Sequence, residues 1–200
     1  MNAEGYIKYR SHLTDGAIPE LEGFEELNRC RTELFDLRLL GIYPDGIGYG
    51  NVSMRVDATR FIITGSATGA LRELTKEHYA LVEAFDLKTN CVYAVGRINA
   101  SAETMSHGVV YRTLPGVNAV IHIHSRTLFD YMRREGYPET DPAIPFGTPE
   151  LASAITDLLL SMNGSEGVFV TAGHDEGIIA YGVRVASAFA MIKEVYAKGM

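Results

Sequence analysis

Two hundred residues are enough for one compact domain with a sizeable core, and 46% apolar with 22% charged residues is an ordinary soluble composition. A net charge of −7 without any Lys/Arg run gives electrostatics no hold on nucleic acid or an anionic membrane, and neither partner is expected. No apolar stretch is long enough to cross a bilayer. The opening Met1-Asn2-Ala3-Glu4-Gly5 has no leader pattern, and the two cysteines, Cys30 and Cys91, point to reduced thiols in a cytoplasmic setting rather than a disulfide framework.

Residues 1–18 are mixed, contain glycine and carry no readable pattern. From Pro19, Leu21, Phe24, Leu27, Leu34, Leu37 and Leu40 recur at helical steps, and Gly41 is a natural stop. Tyr43 to Gly50 reads as a turn region. Asn51 to Val56 and Arg60 to Thr64 read as strands, followed by a small-residue loop, Gly65-Ser66-Ala67-Thr68-Gly69-Ala70. Tyr79 to Asp86 and Cys91 to Val95 are further strands joined by Lys88-Thr89-Asn90. Ser101 is the expected N-cap of a helix running to about Leu114, where Pro115-Gly116 ends it. Val117 to His124 is a buried-strand pattern, and Thr127 to Arg134 is helical. Thr148 caps a helix with Pro149 at its first position and Glu150 near the positive end of its dipole. Val168 to Ala172 and Ile178 to Tyr181 flank the turn Gly173-His174-Asp175-Glu176-Gly177, and a last helix runs from about Val185 to Ala197. Several strand pairs joined by short turns predict one α/β domain with a largely antiparallel sheet.

His122-Ile123-His124 ends an apolar strand. Residues two apart on a strand share a face, so two imidazoles project together, as chelation of one ion requires; a pair of half-buried core histidines is the alternative. His174 is the candidate third ligand, in a turn whose glycines, Gly173 and Gly177, allow unusual backbone angles and close approach. Glu103, expected in the first turn of the Ser101 helix, is the candidate carboxylate. Three histidines with one carboxylate suit zinc or a similar divalent ion, and a carboxylate released from it would be placed as a base. His107 shares a helix face with Glu103 and is expected to orient the helix through a hydrogen bond. His12 and His78 read as surface or loop histidines. Gly50-Asn51-Val52-Ser53, Thr64-Gly65-Ser66 and Ser101 look like anion cradles of backbone N–H groups and small polar side chains, although such segments are more often plain turns.

The order Gly50-Asn51-Val52-Ser53, Ile63-Thr64-Gly65-Ser66, Ser101-Ala102-Glu103-Thr104, Ala119 to Ser125, then Gly173-His174 and Gly177 to Gly182 resembles the class II aldolase/adducin family from about Pro19 to the C-terminus. The resemblance implies residues 19–200 as one such domain: an α/β/α layered fold around a mainly antiparallel sheet. It implies a ring-shaped homotetramer with sites between subunits. It implies a divalent ion per subunit, zinc first with manganese or cobalt as alternatives, held by His122, His124, His174 and Glu103. Glu103 matches the acid/base carboxylate, and Asn51, Thr64, Gly65 and Ser101 match phosphate-holding positions, with Ser66 beside them. The activity implied is aldolase or lyase chemistry on a small hydroxy-ketone or sugar phosphate through an enediolate. Epimerase, dehydratase and decarboxylase chemistry on the same scaffold, or a non-catalytic adducin-like module, are the alternatives.

The chain departs from that pattern in three places. Ser101-Ala102-Glu103 replaces Ser-Ser-Glu, Thr64 to Gly69 replaces Thr-Pro-Ser-Gly, and Asp175-Glu176 follows the third histidine where glycine is usual. The first two weaken the case for a phosphorylated substrate; the third is expected to alter the rim of the site. Tyr131 and Tyr137 are the candidate stand-ins for a tyrosine acid that the family lends between subunits.

Overall fold

In the computed structural model, which describes residues 6–200, the apolar run Ala119–His124 is a strand buried along its whole length inside an eight-stranded sheet. Met1-Asn2-Ala3-Glu4-Gly5, read above as lacking a leader, lies outside the described residues. In chain order the strands are β1 (Arg10–Asp15), β2 (Gly41–Ile42), β3 (Gly48–Tyr49), β4 (Asn51–Arg55), β5 (Phe61–Thr64), β6 (Tyr79–Asp86), β7 (Cys91–Gly96), β8 (Ala119–His124), β9 (Gly167–Val170) and β10 (Gly177–Gly182). The helices are α1 (Phe24–Asp36), α2 (Thr104–Thr113), α3 (Arg126–Arg134), α4 (Pro149–Met162) and α5 (Val185–Gly199).

The main sheet runs β1-β7-β6-β5-β4-β8-β10-β9, and every neighbouring pair is antiparallel except β1 with β7. Its two faces are covered separately. Ile121 and Ile123 pack into a core with α1, α3 and α5, while Val120, Ile179 and Tyr181 pack into another with α2 and α4. That explains why β8 lacks polar alternation: a strand covered on both faces reads as a continuous apolar run. The layered α/β/α architecture around a mainly antiparallel sheet is the expected one.

Local departures have identifiable causes. Residues 10–15, within the stretch that carried no pattern, form the edge strand β1, whose six side chains are all exposed. Helix α1 starts at Phe24, after Gly23 at φ 88°, rather than at Pro19. It stops at Asp36 rather than near Gly41, because Arg38 turns left-handed at φ 58° and the Leu39 N–H returns to the Leu34 carbonyl at 3.0 Å. That is a Schellman-type ending without glycine, so Leu37 and Leu40 fall outside the helix. The expected turn over Tyr43 to Gly50 contains β3, which pairs back on β2 just before it as a small antiparallel ladder. Thr148 caps α4 as expected, its hydroxyl accepting from the Leu151 N–H at 3.2 Å. Ser101 is not the N-cap of α2; Glu103 is. Ser101 instead closes the preceding turn, its carbonyl accepting from the Thr104 N–H at 3.0 Å.

Candidate active site

The pleat of β8 sets the site. Val120, His122 and His124 share the face opposite Ile121 and Ile123, and the registers Asn51↔His122 and Gly177↔His124 align β4, β8 and β10 at one end. His174 enters from the turn joining β9 to β10. That turn is closed by the His174 N–H to the Thr171 carbonyl at 2.8 Å and the Gly177 N–H to the His174 carbonyl at 2.9 Å. One ring nitrogen from each of His122, His124 and His174 comes within 4.8 Å of the other two, and all three residues are buried.

Of the two roles expected for the glycines of this turn, the structure shows close approach and not unusual angles. A side chain at Gly173 would strike the Ile144 carbonyl, and one at Gly177 would meet Thr171 Oγ1 and His122 Cε1. The left-handed residue is Glu176, at φ 66°.

Hydrogen bonding fixes the tautomers. The His122 Nδ1–H donates to the Ile178 carbonyl at 3.2 Å, which leaves the lone pair on Nε2. Tyr43 OH donates to Glu176 Oε2 at 2.9 Å and lies 3.0 Å from His124 Nδ1. The His124 Nδ1–H therefore donates to the tyrosine oxygen, and its Nε2 also carries a lone pair. Burial, with His124 and His174 alongside, holds His122 well below the usual imidazole range, so it is neutral. His122 Nε2 and His124 Nε2 then face each other at 2.9 Å with matching lone pairs. That arrangement is repulsive by itself and fits a cation between them. Tetrahedral ligands at about 2.0–2.1 Å from zinc stand roughly 3.3 Å apart, a spacing between the 2.9 Å of this pair and the 4.8 Å within which all three ligand nitrogens lie. The Tyr43–Glu176 chain behind His124 is the type of outer support that metal-bound imidazoles use. Glu176, noted in sequence only as part of the rim, thus has a specific partner, and Tyr43 was missed.

Glu103 is 5% exposed and lines the same open cleft as His122 and His174. Its Oε2 accepts from Ser106 Oγ at 2.8 Å, whereas its Oε1 is buried with no hydrogen-bond partner among the described residues. The carboxylate lies outside the three-histidine group.

The anion cradle is narrower than the sequence suggests. Asn51, Gly65, Ser66 and Ser101 line the cleft, but Thr64 does not; its hydroxyl accepts from the Val52 N–H at 3.2 Å. The N–H groups of Gly65 and Ser66 already donate to the carbonyls of His78 and Asn99, each at 2.8 Å. The neighbouring Ala67 to Gly69 backbone also lines the cleft and is pinned from behind by Arg31. This guanidinium, 2% exposed, donates to the carbonyls of Thr68, Leu71 and Arg72 and meets no carboxylate among the described residues. Arg31 is a buried positive charge beneath the cradle, invisible in a sequence read for neighbouring cations.

His107 lies behind the site, fully buried. Its Nδ1 is 2.7 Å from Ser53 Oγ, which in turn is 2.7 Å from Tyr111 OH, so α2 is tied to β4 as expected. Burial pushes its pKa down to about 3. Between about pH 6.5 and that value, the unfolded chain binds a proton that the folded chain refuses, so stability is lost on acidification. In metal-free protein, His107→Asn should flatten the fall of unfolding free energy across that window by up to one proton, about 1.4 kcal/mol per pH unit. Denaturant titrations at a series of pH values measure this, and an unchanged slope would mean that His107 titrates normally. Tyr131 and Tyr137 pack on the core beside α5 and do not line this chain's own cleft; Tyr49, 5.8 Å from His124 between ring centroids, does.

Residues 45–197 match the class II aldolase and adducin N-terminal domain, and the chain belongs to that family. A methylthioribulose-1-phosphate dehydratase from Yersinia enterocolitica is 38% identical over 76 residues, a stretch covering 38% of this chain and only 33% of that protein. Among solved structures, L-fuculose-1-phosphate aldolase from Thermus thermophilus superposes with a TM-score of 0.63 at 21% identity, covering 88% of this chain and 90% of that one. YgbL from Klebsiella pneumoniae gives 0.64 at 18%, covering 88% and 85%. At these identities the two structures speak to the fold.

Proposed function

We propose that this chain is a divalent-metal-dependent lyase of the class II aldolase type, acting on a small hydroxy-ketone or sugar, phosphorylated or not, with Glu103 as acid/base. The observation that carries this is a group of three converging imidazoles, two of which line one cleft with a buried carboxylate oxygen that has no hydrogen-bond partner among the described residues. His122, His124 and His174 would hold the ion, zinc first, with manganese or cobalt able to substitute. When bound, it supplies a Lewis acid toward the substrate's carbonyl and hydroxyl oxygens. Glu103 moves the proton as an enediolate forms and collapses. Asn51, whose Oδ1 is buried without a hydrogen-bond partner among the described residues, can take a substrate hydroxyl. The Ala67 to Gly69 backbone and the Ser66 and Ser101 hydroxyls receive the substrate's anionic end, supported by the charge of Arg31.

Dehydration is the second reading, favoured by the local similarity to a dehydratase. There Glu103 would remove a carbon-bound proton beside the carbonyl, and the hydroxyl on the next carbon would leave as water. A screen of ketose phosphates and free hydroxy-ketones with zinc, manganese and cobalt, assayed for both aldehyde release and water loss, separates the two. No turnover in either assay by metal-loaded protein would favour a non-catalytic adducin-like module instead. The same reading includes a homotetramer with sites completed between subunits and a cytoplasmic setting. Cys30 and Cys91 are both free and buried, which fits a reducing compartment. No helix among the described residues is long and apolar enough to cross a membrane.

Ala102 in place of a serine, together with the engaged N–H groups of Gly65 and Ser66, limits what a phosphate gains. One hydrogen bond to a charged group is worth about 1.5–3 kcal/mol, roughly one to two decades in affinity. The pocket should therefore accept phosphate or carboxylate, with less than about a hundredfold advantage in kcat/KM for a sugar phosphate over its unphosphorylated analogue. A much larger advantage would require donors beyond those named here.

A further inference from the structure

His174 is the one imidazole of the three that a loop carries, and its ring is held by Phe146, which is gripped in turn by Lys8, a residue outside the region that matches the family. Phe146 stacks on it with ring centroids 4.3 Å apart and planes 16° from parallel, and His174 in turn stacks on His122 at 5.1 Å and 29°. Lys8 Nζ stands 3.4 Å from the centroid of the same phenyl ring and donates to the Phe146 carbonyl at 2.9 Å. A cation at 3.4 Å and an imidazole at 4.3 Å cannot share one face of a ring, so Phe146 is sandwiched between Lys8 and His174. The backbone is built for this contact. Gly147 sits at φ 68°, and a side chain there would meet Lys8 Cδ at 2.9 Å. Gly173, beside the histidine, admits the Ile144 carbonyl of the same loop. Tyr9 fastens the segment that carries Lys8, its hydroxyl donating to the carbonyls of Ala100 at 2.7 Å and Ser101 at 3.2 Å.

We propose that Lys8 is a positioning residue for the site: through its cation–π contact and hydrogen bond it clamps Phe146 onto His174 and so sets the orientation of that imidazole. Its role toward metal rests on the metal-dependent reading above, while the clamp itself is a property of the protein alone. A cation over a ring face is attracted by the ring quadrupole, and ring–ring stacking adds directional preference. Together they hold a loop side chain in one rotamer before any ion arrives. Lys8 also lies within electrostatic reach of Glu103: burial lowers its pKa, and the Glu103 carboxylate partly offsets this.

Two readouts test the clamp. In metal-free protein, Phe146 should shift the His174 ring protons upfield in the NMR spectrum; Phe146→Leu abolishes the shift and identifies it, and Lys8→Met should reduce it substantially while Lys8→Arg restores it. In cobalt-loaded protein, Lys8→Met should release the ion to a chelator about tenfold faster than wild type, within the usual range for a residue supporting a ligand from behind, and Lys8→Arg should release it at near the wild-type rate. Lys8 is exposed, so these variants fold. If Lys8→Met leaves both the His174 shift and the release rate unchanged, the clamp is overturned. If wild type takes up no cobalt, the metal-dependent reading fails, and the ring shift alone decides the clamp.

Discussion

Glu103→Gln should fold, retain most of its metal and lose at least about a hundredfold in turnover, the lower end of what a positioned acid/base contributes. The amide is nearly isosteric, and its oxygen can keep the hydrogen bond from Ser106 Oγ, 2.8 Å from Glu103 Oε2. What it cannot do is accept a proton at the position of Oε1, the atom without a hydrogen-bond partner among the described residues. The structural cost is small. Glu103 sits at the N-terminus of α2, where losing a negative charge costs about 0.3–1 kcal/mol. Metal content and melting temperature should therefore stay close to wild type while kcat falls on whichever substrate the screen identifies. Because the carboxylate stands outside the three-histidine group, its loss should affect metal content far less than loss of an imidazole. Near-normal kcat in this variant would remove Glu103 from the chemistry.

Much of this site was readable in the sequence because it is local. His122 and His124 are two apart on a strand, and a strand's two-residue period alone puts their rings together. Glu103 and His107 are one turn apart on a helix for the same reason. The strands β6 and β10 fell within a residue of where their patterns end, since each is bounded by turn residues. What could not be read comes from long-range contacts. The six exposed side chains of β1 carry no alternation, and its place is set only by pairing with β7. Tyr43 reaches His124 across 81 positions, and Lys8 reaches Phe146 across 138. Arg31 looks like an ordinary helical arginine until its helix packs under the Thr68 to Arg72 carbonyls. Some faint signals existed. Gly173 marked a close approach of other backbone, one of the two roles expected of it, and the structure shows that one. Asp175-Glu176 marked a rim unlike the family's, and the Tyr43–Glu176 hydrogen bond is its structural counterpart. The anion cradle was overread for a related reason: a sequence lists the donors of Thr64, Gly65 and Ser66 but not which protein carbonyls and amides already use them.

His122→Ala should separate metal binding from acid stability, moving the two in different directions. The variant removes the Nε2 that faces His124 at 2.9 Å and leaves two protein imidazoles, short of the three protein ligands usual in a catalytic zinc site. Metal affinity should fall by more than about a hundredfold, beyond the roughly 10–100-fold typical of outer supports, while Tyr43→Phe should stay within that smaller range. Stability behaves differently. His122 is completely buried, so truncating it leaves a cavity costing on the order of 2 kcal/mol at neutral pH. Its folded-state pKa, however, is depressed by burial and by the neighbouring imidazoles. Below about pH 6.5 the unfolded wild-type chain takes up a proton at this histidine that the folded chain refuses, and wild type loses stability as pH falls. The alanine variant lacks that proton uptake, so its deficit against metal-free wild type should shrink steadily from about pH 7 down to about pH 4.5. Calorimetric titration with zinc and cobalt, paired with urea unfolding across that pH range in the presence of a chelator, measures both. Wild-type metal affinity in His122→Ala would locate the ion elsewhere. A deficit that stays constant with pH would mean that His122 in the metal-free fold takes up protons as readily as in the unfolded chain, and so is not held neutral by its surroundings.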